Sequence, residues 1–358
     1  PYARQALMKI GMLYYNNDQY EEALVNLKKV VSDYANTEES REALNLIRNI
    51  YMETNRTQEY FKYTEENGIG SVSISEQDSL MFKTVDNFFQ ESKYDKTLEG
   101  VRQYIDKNPD GAYLLKIHYY AAYSLEKDNN LTEQRPHLEY IVNQPDNDYT
   151  DYALLRLARL DYDDGNYSDA ASYYERLLTL TDNQIIKLEA IEGAMKSGYF
   201  NGDYDKAIQY GGELYSMPEV TQNQKNQTDY IVGKSLYAKK EYADALARFK
   251  MSADKDKSVM GAESAYHVAL CDYAMQKYDD AENDVFFMSD NFGSHTYWVA
   301  KAFLLLGDIY VAKDNVFQAK ETLKSIIDNY PGEDLKQEAR QKLAAIERNE
   351  QNNEEEAQ

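Results

Sequence analysis

The chain holds 358 residues, 43% hydrophobic and 28% charged, which excludes a disordered protein and suffices for several domains or one long repeat array. Sixty-two acidic residues against 39 basic ones leave a formal charge of −23, and no basic run exceeds two residues, which argues against nucleic-acid binding. No apolar run reaches 18 residues, since WVAKAFLLLGDIYVA is broken by Lys301 and Asp308, so no membrane span is expected.

The single cysteine, Cys271, excludes an intrachain disulfide. The chain starts at Pro1 without a methionine or signal peptide, so any targeting segment is expected upstream. Tyrosine is the unusual residue, at 34 copies.

The first element sets a pattern. A helical stretch containing Gly11 and Tyr14 runs into the turn NND, then into a second helical stretch opening Tyr20-x-x-Ala23. With Tyr20 as the register mark, later copies place Thr57, Tyr94, Leu131, Tyr167, Tyr204, Tyr242, Tyr278 and Val316 there, at intervals of 36 to 38 residues. Three residues past the mark stand Ala23, Ala170, Ala207, Ala245, Ala281 and Ala319. Nine before it stand Gly11, Ala122, Ala158, Gly233, Ala269 and Gly307. The turns between (NND, DNN, DDGN, NGD, KDN) are rich in residues that accept left-handed backbone and cap helices. Each copy therefore reads as helix A, tight turn, helix B, and the small residue of helix A is expected to meet the alanine of helix B.

Copies two and four (EALNLIRNIYMETNRTQEYFKY and YAAYSLEKDNNLTEQRPHLEY) are degenerate, and copy three carries Thr97 for the alanine. Between copies two and three, ENGIGSVSISEQ breaks the helical pattern and reads as a joint. The expected organisation is two repeats over 1–67, a joint at 68–76 and about seven repeats over 77–332. A capping helix over 333–350 and a disordered acidic tail over 351–358 follow.

The register resembles the tetratricopeptide repeat (TPR). Copy one supplies Gly11, Tyr14, Tyr20, Ala23 and Leu27, and copy nine supplies Gly307, Tyr310, Val316, Ala319, Leu323 and Pro331. The resemblance implies an all-α, right-handed α-solenoid of about nine helix-turn-helix pairs, over roughly residues 2–331. The long copies and YP-type ends resemble the bacterial cell-envelope branch, outer-membrane assembly lipoproteins and periplasmic division coordinators. That implies a periplasmic or outer-membrane-associated protein and allows a lipid anchor upstream; a cytoplasmic location is the alternative.

Nothing in the chain resembles an active site. His118, His137, His267 and His295 are read as scattered among separate copies without metal-ligand spacing, so no metal or cofactor is expected. Cys271 reads as a small buried hydrophobe; its nearest histidine, His267, lies on the same helix and no third group supports a nucleophile. The run DYDDGNYSD fails the EF-hand offsets, and GGELY lacks the P-loop lysine.

What remains is surface. Positions three before, one after and four after the small residue share one face of helix A, the ligand-facing side in repeat solenoids. The last of them reads Tyr15, Met52, Phe89, Glu126, Tyr162, Tyr199, Tyr237, Tyr273 and Val311. Tyr119, Tyr123, Arg159, Tyr162, Tyr199, Tyr230, Lys234, Tyr237, Tyr266 and Tyr273 are the expected partner-binding groove, with packing between repeats as the competing role for the row. The family's chaperone clamp resembles a lysine at the first of these positions, where this chain has none, so chaperone C-termini are not the expected ligand. The leading expectation is a non-enzymatic scaffold for a protein or peptide partner. The alternatives are a homo-oligomeric spacer with a self-filled groove, and a glycan-processing solenoid using Asp161, Asp163 and Asp164.

Overall fold

The computed structural model describes residues 2–356. Among them there is helix and no strand. The chain divides into two compact units, residues 1–157 and 158–358.

In the N-terminal unit lie α1 (Tyr2–Asn16), α2 (Tyr20–Asp33), α3 (Glu38–Glu53), α4 (Thr57–Glu66), α5 (Ile74–Gln90), α6 (Tyr94–Lys107), α7 (Leu114–Lys127) and α8 (Leu131–Val142). The division falls inside α9 (Thr150–Asp163). The C-terminal unit continues with α10 (Tyr167–Leu180), α11 (Gln184–Asn201), α12 (Tyr204–Ser216), α13 (Gln222–Ala238), α14 (Tyr242–Lys255), α15 (Val259–Ala274) and α16 (Tyr278–Asn291). α17 (Thr296–Ala312), α18 (Val316–Asn329) and α19 (Glu333–Glu356) complete it. Every even-numbered helix begins on the register mark, including Thr57 and Leu131 of the degenerate copies.

One turn geometry serves all nine pairs. Two residues before each mark the backbone turns left-handed, at Asp18, Asn55, Ser92, Asn129, Gly165, Gly202, Lys240, Gln276 and Asp314, with φ between 54° and 80°. The next residue donates its N–H back to the carbonyl five residues earlier, as in Gln19 to Tyr14 (2.9 Å), Glu241 to Leu236 (2.9 Å) and Lys277 to Asp272 (2.9 Å). This is the Schellman arrangement, which satisfies the last carbonyls of helix A while reversing the chain. Left-handed backbone costs an ordinary L-residue roughly 1–2 kcal/mol and glycine almost nothing. Lys240→Gly and Gln276→Gly are therefore expected to stabilise the protein by about 0.5–1 kcal/mol each, read as a rise in urea midpoint. Gly202→Ala should shift it the other way.

Five odd helices, α3, α5, α11, α13 and α15, gain separate start signals. Thr37, Ser73, Asn183, Thr221 and Ser258 each accept from a backbone N–H of the first turn, and Thr221 with Gln224 closes a reciprocal box.

The nearest neighbour of the small residue of helix A is not the alanine of helix B where that residue is Gly11, Gly233 or Gly307. A Cβ on Gly11 would lie 2.6 Å from Leu27 Cδ2, one on Gly233 2.9 Å from Phe249 Cε1, and one on Gly307 3.0 Å from Leu323 Cδ2. The partner is thus the residue seven past the mark. In an antiparallel pair, residues at similar distances from the turn come opposite one another, and Gly11 and Leu27 stand seven and nine residues from the left-handed Asp18. The alanine three past the mark lies nearer the turn, where a Cβ on Gly198 would come 3.2 Å from Ala207 N.

In the N-terminal unit Ile47, Tyr60, Phe61, Met81 and Val85 share one core, with Ile69 and Val72 of the joint packed on it. In the C-terminal unit α19 lays Leu335 and Ala339 against Leu304, Leu323 and Ile326, while Arg340, Gln341, Glu347 and Arg348 face outward. It caps the last pair. Composition led us to expect disorder from residue 351, yet the helix runs on to Glu356. Glu, Gln and Asn include good helix formers and no glycine or proline intervenes. Residues 357 and 358 lie outside the described residues.

Candidate protein-binding face

All ten groove candidates are half-buried, neither core nor fully exposed. In the N-terminal unit α7 carries Tyr119 and Tyr123. Tyr119 stacks on Tyr149 (centroids 4.3 Å, 18°) and meets Tyr152 edge-on at 5.4 Å. Tyr123 meets Phe89 edge-on at 5.4 Å and lies under the Lys127 ammonium at 4.8 Å. Phe89 in turn stacks on the buried Tyr120 at 3.9 Å. The Tyr152 hydroxyl donates to Glu126 (2.7 Å), and burial with that bond raises its pKa. Each ring is thus held by another ring or a carboxylate before any partner arrives.

In the C-terminal unit the row splits in two roles. Tyr162, Tyr199, Tyr237 and Tyr273 each lean on the mark tyrosine five residues on, with centroids 5.4, 6.2, 5.2 and 5.7 Å from Tyr167, Tyr204, Tyr242 and Tyr278. The recurrence of tyrosine at both positions is one contact closing each turn. Tyr230 and Tyr266 lie a turn or more away; Tyr266 sits 5.6 Å from Trp298, and burial pushes both phenols up to about 12.

The two cations are engaged within their own unit. Arg159 binds Glu189 through two nitrogens at 2.5 and 2.7 Å. Lys234 donates to Glu263 (2.9 Å) and Tyr230 (3.2 Å). Burial alone would lower the Lys234 ammonium, but those partners raise it instead. Such half-exposed pairs add at most about 1 kcal/mol each. Their larger effect is to fix side chains on the A-helix face and neutralise its positive charge.

Several tyrosine hydroxyls are matched with carboxylates. Tyr15 and Tyr20 both donate to Glu53 (2.6 and 2.8 Å), Tyr310 donates to Glu282 (2.9 Å), and Tyr104, Tyr120 and Tyr215 donate to Asp78, Asp86 and Asp229. These bonds link neighbouring helices.

The structure brings two histidines together. His118 and His137 belong to one copy, and their Nδ1 atoms lie 2.9 Å apart across α7 and α8. Their sequence separation of 19 places them outside any i,i+4 search. His267 gives Nδ1 to the Glu263 carbonyl at 2.8 Å and stacks on Phe249; burial lowers its pKa. Cys271 is fully buried, with its thiol pushed up to about 12 by that burial. Asp161 is buried at the end of α9 whereas Asp163 and Asp164 are exposed, so they do not form a facing carboxylate pair. Among the described residues no group of three or more His, Cys, Asp or Glu is placed to hold a metal ion.

One carboxyl is out of its usual range. Asp284 lines a cavity of about 240 Å³ with Ala253, Ala265, Val268 and Phe287. Burial, then the hydrogen bond shared with Asp272, pushes its carboxyl up to about 7. Because the folded pKa is the higher one, the pair stabilises the fold at low pH, and this contribution is lost as pH rises through about 7. Asp284→Asn is expected to flatten urea stability between pH 4 and 7 and to add about 1 kcal/mol at pH 8, allowing for solvent screening.

Tyr149, Tyr152 and Trp298 escaped the sequence argument because they stand outside the three positions per copy that it followed, whereas Phe89 stood in the row but not among the groove candidates. Their aromatic character was the only signal available.

The family model for the tetratricopeptide repeat matches residues 5–37, 152–180 and 301–332. No curated protein matches the chain. Among solved structures, the C-terminal part of a TPR repeat-containing protein from Cytophaga hutchinsonii is 16% identical, covering 70% of this chain and 95% of its own, with a TM-score of 0.47. A tetratricopeptide repeat protein from Parabacteroides merdae is 15% identical, covering 75% and 98%, with a TM-score of 0.38. YrrB, described as a TPR protein with an unusual peptide-binding site, is 19% identical, covering 53% and 91%, with a TM-score of 0.42. Three segments of the chain thus match the tetratricopeptide repeat, and the other helix pairs are TPR-like in sharing their register and turn.

Proposed function

We propose that the protein is a non-enzymatic scaffold whose A-helix face binds an extended segment of a partner protein. The carrying observation is the ring network around Tyr119 and Tyr123, where five half-exposed aromatics are already fixed by their neighbours. Tyrosine held in place offers apolar area and a hydroxyl at little further loss of conformational entropy. In the C-terminal unit Tyr230, Tyr237, Tyr266 and Tyr273 offer a second such face. The compartment we propose is the bacterial cell envelope, supported by the long copies and YP-type ends; fractionation of cells making the full-length gene product tests it.

A photocrosslinking phenylalanine analogue at position 123, with one at the exposed Met251 as control, tests the binding face in the native cell. The expected result is one dominant heterologous adduct from position 123 and none from 251. Adducts only to a second copy of the chain would overturn the scaffold reading in favour of a homo-oligomeric spacer.

A further inference from the structure

The contact between His118 and His137 has a chemical condition attached. Two imidazole nitrogens 2.9 Å apart are a hydrogen bond only when one carries the proton and the other a lone pair. With both rings protonated the same contact sets two cations side by side. Neither ring can easily turn away, because His118 lies flat on Tyr140 (3.7 Å, 7°) and both are half-buried between α7 and α8.

α8 is also the least conventional B helix. Pro136 lies inside it and removes one backbone donor. Where most copies place alanine it has the buried Gln134, which donates to the Ala122 carbonyl at 2.9 Å and accepts from Arg156 at 3.0 Å.

We propose that His118 and His137 are a proton-operated latch, closed when the pair is neutral and open when both rings are protonated, which frees α8 from α7 while the remaining helix pairs stay folded. The charged groups around it are few. Glu133, on α8, favours a cation on His137, whereas Arg102, on α6, opposes it and lies 3.4 Å from Glu133. Arg156, on α9, is turned to Gln134 and Glu126. Burial, then the charge of His137, lowers His118 to about 4, and burial lowers His137 as well. Folded values below the free imidazole value of about 6.5 mean that the latch holds above that pH and weakens as pH falls.

Hydrogen exchange of the whole chain at pH 7.5 and 5.0, corrected for intrinsic rates, reads the latch directly. Peptides covering residues 131–142 are expected to lose about tenfold protection at pH 5.0, with peptides from α14 unchanged. In the double variant His118→Gln, His137→Gln the pH-dependent loss should vanish. Unchanged protection of α8 in the wild type, or the same loss in the double variant, overturns the proposal. Should the variant not fold, NMR titration of the wild-type imidazoles decides: midpoints below 6.5 for both rings support the latch, and a midpoint at or above 6.5 for either contradicts it.

Discussion

Gly233→Met is expected to destabilise the protein by about 1–3 kcal/mol and Phe249→Gly by at least about 4 kcal/mol, yet the two together should cost clearly less than their sum. The Gly233 backbone lies against the Phe249 ring, with 2.9 Å left for an added Cβ, so a side chain on one side requires room on the other. The double variant reproduces what copy six already contains. There the position nine before the mark is Met195, fully buried, and the position seven after it is Gly211, whose Cβ would come 3.5 Å from Met195 Sδ. The expected coupling in a double-mutant cycle is about 1–2 kcal/mol, read from urea melts. Additive losses would show that the two positions do not share a contact.

Removal of residues 333–358 should cost the C-terminal repeats about 4 kcal/mol, while removal of 351–358 should leave the melt unchanged. The first deletion uncovers Leu323, Ile326 and Leu304 and discards the burial of Leu335 and Ala339, with Leu343 and Ile346 half-buried beside them. A fully buried leucine contributes about 1.5–3 kcal/mol, and the half-buried pair supplies the remainder. The deletion also breaks the pairing of Lys342 with Asp308 (2.7 Å). A cut at 349 would additionally lose the solvent-screened Lys320–Glu350 pair (2.8 Å). Paired denaturation curves check this, and equal midpoints for the long and short deletions would contradict a capping role.

The sequence disclosed the repeat because its strongest signals are local. The turn residue two before the mark is Asn, Asp or Gly in six of nine copies, the types that tolerate left-handed backbone. At Ser92, Lys240 and Gln276 the position is set by register alone. What stayed hidden were contacts between helices. Gly233 looked destined for Ala245 because the two recur together, but recurrence reports neighbours of the turn as readily as neighbours of each other. Copy six showed no small residue nine before its mark because the large and small partners had changed sides. Gln134 stands where alanine belongs, its amide bonded to a backbone carbonyl instead of leaving the space empty. His118 and His137 meet only once α8 has folded back on α7. The candidate row was legible as aromatics; that Tyr162, Tyr199, Tyr237 and Tyr273 brace their own turns was not.

Binding by the tyrosine face is the claim on which the functional account stands. Tyr119→Ala, Tyr123→Ala should be melted and then titrated with the segment crosslinked from position 123 in the wild type. A partner-facing pair should weaken binding by about 2 kcal/mol or more per ring while costing little stability, whereas core aromatics would cost about 3–5 kcal/mol of stability each. The account predicts a folded double variant with roughly a thousandfold loss of affinity. A variant that unfolds, or one that binds as tightly as the wild type, would contradict it.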